Sequence, residues 1–100
     1  MRIILTAAGA ALILSSIPAQ AGPITRACMA SDSKNRNSAV CGCIQQAANL
    51  TLDQSDQKLA AQIFRKPQMA QDIRMSSNAR HEQFWLRYKA FGAVASETCS

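Results

Sequence analysis

The chain has 100 residues, of which 48% are hydrophobic and 17% charged, with a formal net charge of +5. That length holds one domain at most and buries only a modest core, so covalent staples are expected, and a chain this short does not build an aqueous translocation path of its own. The mild basic bias suits an acidic protein partner, an anionic surface or plain solubility.

Residues 1–21, "MRIILTAAGAALILSSIPAQA", carry one positive charge at Arg2 and then an uncharged apolar run from Ile3 to Leu14. The run falls short of the roughly 20 apolar residues that a spanning helix needs. Ser15, Ser16 and Pro18 follow, and Ala19-Gln20-Ala21 offers the small residues that a signal peptidase accepts. The reading is a secretory signal peptide over 1–21, cleaved between Ala21 and Gly22, with a single small helical domain over 22–100 and no transmembrane segment after cleavage. An uncleaved anchor would want a longer apolar stretch with charges on both flanks. The expected location is the periplasm or the cell exterior, where nucleic acid is not a natural partner.

Past the leader the pattern is helical throughout. No window alternates β-branched residues, and glycine and proline sit at plausible boundaries. The expected fold is all-α, a disulfide-stapled bundle of four to five short helices. "ITRACMA" forms a helix of about two turns, and the polar loop "SDSKNRNS" (31–38) offers Asn37 or Ser38 as the next cap. Over 38–50 the three-and-four spacing sets Val40, Cys43, Ile44, Ala47 and Leu50 on one face, with Cys41 to its side. Thr51, Asp53 and Ser55 compete to cap the following helix, whose inward face is Leu59, Ala60, Ile63 and Phe64. Pro67 ends or kinks it, and "PQMAQDIRM" turns Met69, Ala70 and Ile73 inward. After the polar turn "SSN" (76–78), the last helix aligns Phe84, Tyr88, Phe91 and Ala95 with Trp85 and Gly92 on the flank. Arg87 and Lys89 fall on the far side, so the aromatics read as core rather than as a ligand-gripping surface.

Cys28, Cys41, Cys43 and Cys99 all follow the leader, and an even number of cysteines in a small exported chain signals a disulfide framework. A redox site would show Cys-x-x-Cys in a βαβ context, not Cys-Gly-Cys on a helix. A bond between Cys41 and Cys43 is disfavoured because the two side chains point about 200° apart on one helix. A zinc cluster usually shows paired ligands at both ends, whereas Cys28 and Cys99 are solitary. Met29, Met69, Met75 and His81 are too scattered for a copper site, so no metal and no cofactor is expected. A helical hairpin around the polar loop brings Cys28 beside Cys41, leaving Cys43 to meet Cys99 at the end of the core stripe. The swapped set, Cys28 with Cys43 and Cys41 with Cys99, stays open from sequence. The shorter bridge would contribute roughly 3 kcal/mol and the longer about 4.

The blocks "CGCIQQAANL" and "FWLRYKAFGAVA", with the leader, the lone upstream cysteine and the near-terminal one, resemble a family of small uncharacterised exported proteins of alphaproteobacteria. Some members carry an arginine-transporter label. The resemblance spans essentially all of 22–100 and implies compartment and fold; it brings no catalytic residues to carry over. Nothing after Ala21 is apolar enough to cross a membrane, so the label implies at most a soluble accessory.

The leading functional expectation is therefore a non-enzymatic structural or interaction module. Its basic face, including Lys34, Arg36, Arg65, Lys66, Arg74, Arg80, Arg87 and Lys89, meets an acidic protein or envelope surface. The alternative is a small-ligand-binding accessory, with arginine held by Glu82 or Asp72 beside Trp85. Enzymatic chemistry ranks last, because Ser55 and Asp56 are explained as helix-start residues, and thiol-disulfide exchange is the one reaction worth assaying.

Overall fold

The computed structural model describes residues 22–31, 34 and 36–99. They form five α-helices: α1 (Pro23–Ala30), α2 (Ser38–Thr51), α3 (Gln54–Arg65), α4 (Gln68–Arg74) and α5 (Ala79–Thr98). There is no strand among the described residues. Residues 1–21, the expected leader with Ala21 at its expected cut, lie outside them; Gly22, on the other side of that expected cut, is the N-cap of α1.

α2, α3 and α5 each begin where a short polar side chain meets the helix's orphan amides. Asn37 accepts from the Val40 amide at 2.8 Å, and Asn78 accepts from the Arg80 amide at 2.8 Å. For α3 the competition among caps resolves to Asp53, in a capping box. Its Oδ1 accepts from the Asp56 amide at 2.8 Å, and the Asp56 carboxylate turns back toward the Asp53 amide at 3.4 Å. Pro67 separates two helices rather than kinking one, since α3 closes at Arg65 and the proline is the N-cap of α4.

α1 packs against both α2 and α3, α2 meets α5 on its other side, and α4 lies against α5 and the end of α3. The buried cluster joins Ile24 and Ala27 of α1, Ala47 and Ala48 of α2, Ala60, Ala61 and Ile63 of α3, Ile73 of α4, and Phe84 and Phe91 of α5, with Leu52 between α2 and α3. Alanines dominate where α1, α2 and α3 meet, which lets helix axes approach toward the short end of the usual 8–10 Å range. α5 supplies the bulk. Phe84 stacks on Tyr88 at 5.3 Å, Tyr88 touches Trp85 at 5.4 Å and Phe91 at 5.7 Å, and Phe91 reaches Phe64 of α3 at 6.4 Å.

Among the residues expected in the core, Ile63, Phe84 and Phe91 are buried, while Ile44, Leu59, Phe64, Trp85 and Tyr88 are half-buried and pack against the cluster. The face of α2 is a correction. Val40 is half-buried outside the cluster and Leu50 is 79% exposed, whereas Cys41, Gln45 and Ala48 are buried. Two partners account for it: α1 covers the 41–45–48 line and α5 the side that carries Cys43 and Ile44, so the buried surface is wider than a hydropathy stripe and turned toward small and polar residues.

Candidate functional site

Two disulfides staple the bundle. Cys28 is bonded to Cys41, with Cα atoms 5.6 Å apart, and Cys43 to Cys99, with Cα atoms 5.7 Å apart; no cysteine is left free. Cys28 and Cys41 are buried, and Cys43 and Cys99 half-buried. Because side chains two residues apart on a helix diverge by about 200°, Cys41 reaches α1 while Cys43 reaches the end of α5. One turn of α2 is thereby fastened on both sides.

Below Cys41 lies a polar centre that hydropathy gives no reason to expect. α1 has no side-chain cap of its own at Gly22. Gln45, 2% exposed, replaces it from α2: its Oε1 accepts from the Ile24 amide at 2.9 Å and the Thr25 amide at 3.0 Å. Its Nε2 donates to Gln57 Oε1 at 2.8 Å and to Asn49 Oδ1 at 3.0 Å. Gln57 in turn donates to Asn49 Oδ1 at 3.1 Å and to the Leu52 carbonyl at 3.3 Å. Every hydrogen-bonding valence of Gln45 is used, which is the condition for a buried amide to stabilise rather than cost. The approach is close enough that a Cβ on residue 22 would lie 2.5 Å from Gln45 Oε1, so any larger residue there has to push the Gln45 carboxamide away from its partners.

A second polar assembly joins the start of α3 to the middle of α5. Arg87 Nε donates to Asp56 Oδ2 at 2.6 Å and Arg87 Nη2 to Asp56 Oδ1 at 3.0 Å, a two-point pair in which the Asp56 side chain is 6% exposed and that of Arg87 42%. Arg87 therefore does not simply fall on an outer basic face. The Asp56 carboxylate holds its guanidinium pKa above the ordinary value. Asp53 beside it is held below the usual carboxylate range, first by the Asp56 amide and then by the Ser55 hydroxyl. Burial pushes the Tyr88 phenol up.

Around this pair opens a cleft of about 780 Å³, with Leu59 and Phe84 as its apolar wall and Ser55, Asn78, Arg80, His81 and Gln83 along its rim. His81 Nδ1 lies 2.9 Å from Ser76 Oγ. Asp72 and Glu82, the acids considered beside Trp85, are both exposed. Met29 and Met75 are exposed and Met69 half-buried, and among the described residues no three His, Cys, Asp or Glu side chains converge as a metal set. The signal that the Asp56–Arg87 pair left in sequence was the capping box alone; nothing local links residues 31 positions apart.

No family model matches the chain, and no curated protein or solved structure shows significant similarity to it.

Proposed function

We propose that this protein is a non-enzymatic interaction module of an exported, non-reducing compartment, released from its leader after Ala21 and associating through its cationic surface with an acidic protein or an anionic envelope surface. The paired cysteines support the compartment, since such bridges persist where thiols are not kept reduced. No helix among the described residues is long and apolar enough to cross a membrane. The observation that carries the reading is a charge imbalance: among the described residues nine exposed Lys and Arg side chains stand against four exposed acids, the fifth described acid, Asp56, being buried against Arg87. Such a surface raises encounter rates with negatively charged partners and does so less as salt rises.

The test is co-sedimentation of the processed, oxidised protein with anionic and with zwitterionic vesicles, together with crosslinking in envelope extracts. Association with anionic vesicles that weakens with salt and drops on combining Arg65→Gln, Lys66→Gln and Arg74→Gln is the expected result. Absence of binding at low salt to vesicles and to any acidic envelope protein refutes it.

A further inference from the structure

We propose that the cleft between the starts of α3 and α5 is a binding site for a small organic anion, an acidic oxygen head group carried on a short apolar body. The cleft's one carboxylate, Asp56, is already engaged twice by Arg87 and faces the Asp53 amide. Most of its acceptor positions are spoken for. The donors are not: Arg87 has spent Nε and one Nη2 hydrogen, leaving its Nη1 hydrogens and the second on Nη2. Asn78 uses its Oδ1 on the Arg80 amide and keeps its NH₂. His81 meets Ser76 through Nδ1, and where Nδ1 accepts from that hydroxyl its Nε2–H is a further donor. Arg80 lines the same cleft, is exposed, and has no carboxylate partner among the described residues.

Among the lining residues two arginines stand against one carboxylate, and their unused N–H donors are complementary to an acceptor-only anion. Two further features shape it. The pairing with Asp56 fixes the Arg87 guanidinium before any ligand arrives, so less rotamer freedom is lost on binding than with a loose arginine. Leu59 and Phe84 supply the apolar wall that a bare inorganic anion would leave unused, which is why an organic body is assigned to the ligand.

This inference is independent of vesicle or protein association, and its test keeps the two apart. The processed, oxidised protein is titrated with benzoate and phenyl phosphate, which present a carboxylate and a phosphate on the same body, and with neutral benzyl alcohol, followed by amide chemical shifts. Saturable shifts at residues 78–87 and at Ser55–Asp56 with either anion, and not with the alcohol, are expected; the tighter of the two identifies the head group. Arg80→Gln, at an exposed position and with its fold checked by circular dichroism, should weaken binding at least about tenfold, the lower range for losing a charged hydrogen bond. The triple substitution at Arg65, Lys66 and Arg74 should leave it unchanged. The proposal is overturned if neither anion saturates, if the alcohol gives the same shifts, or if Arg80→Gln binds as the unsubstituted protein does. Vesicle binding that survives any of these outcomes leaves the surface reading standing and removes only the cleft.

Discussion

Gln45→Met replaces the buried carboxamide by a side chain of similar length with no donor and only a weak acceptor. Four hydrogen bonds go at once. Water can reach the Thr25 amide, which is only part-buried, and Asn49, which is exposed. It does not readily reach the Ile24 amide, in a residue that is fully buried, or Gln57 Oε1, in a residue 7% exposed. At about 1–3 kcal/mol for each buried group left unsatisfied, the substitution should cost about 2–5 kcal/mol once the modest gain from burying a thioether is allowed for. For a domain of this size that corresponds to a fall in Tm of about 10–30 °C. The measurement is urea and thermal unfolding of the oxidised protein by circular dichroism, with Gln46→Met, at the exposed neighbouring position, as the control expected to stay within about 0.5 kcal/mol. If Gln45→Met behaves like the control, or stabilises, the start of α1 is satisfied without the carboxamide and the proposed role of the amide network is wrong.

Gly22→Ala should destabilise in the same assay, although the φ of −73° at this position suits alanine and chain entropy alone would favour the change by about 0.4–1 kcal/mol. The added Cβ displaces Gln45, and a stabilised variant would refute the steric account. Under graded dithiol treatment with alkylation and mass analysis, the half-buried Cys43–Cys99 bridge should open before the buried Cys28–Cys41; simultaneous opening would refute that order. Removing the bridges separately by paired serine substitution should cost roughly 4 and 3 kcal/mol for separations of 56 and 13 residues. Because the Asp53 pKa is depressed on folding, its contribution is present above its ordinary value of 3.8 and is lost as pH falls through the folded value. Asp53→Asn should therefore flatten the acid limb of the stability curve, and an unchanged limb would assign acid unfolding elsewhere. Finally, Asp56→Leu with Arg87→Met should be better tolerated than Arg87→Met alone, since the single change strands a buried carboxylate; a double-mutant cycle reads the difference.

The elements that could be read from sequence are those set by local chemistry. Asn37, Asp53 and Asn78 mark helix starts because short polar side chains meet amides two or three residues on, and Pro67 ends α3 because a proline cannot continue it. The aromatic spacing from Phe84 to Phe91 fixes which side of α5 faces in. α2 resisted because its environment is not local. Ranking by hydropathy turns Leu50 inward and Gln45 outward, while contact with α1 on one side and α5 on the other selects Cys41, Gln45 and Ala48 for burial. The cleft was illegible for the same reason: Asp56 shows locally as a first-turn acid, and only the crossing of α3 and α5 makes it the anchor of Arg87.

The bridges join the first cysteine to the second and the third to the fourth along the chain. An oxidant that meets this polypeptide from its N-terminal end, pairing thiols in the order in which they emerge, produces the native set without any bond having to be broken and remade. Cys28 and Cys41 can close while the remainder of the chain is still arriving, provided that Cys43, a glycine farther on, is not taken first. Within that one turn of α2, the choice between neighbouring thiols is the step at which a disulfide isomerase would make a difference, and the long wait of Cys43 for Cys99 is the interval in which a mixed disulfide with a folding catalyst could be trapped.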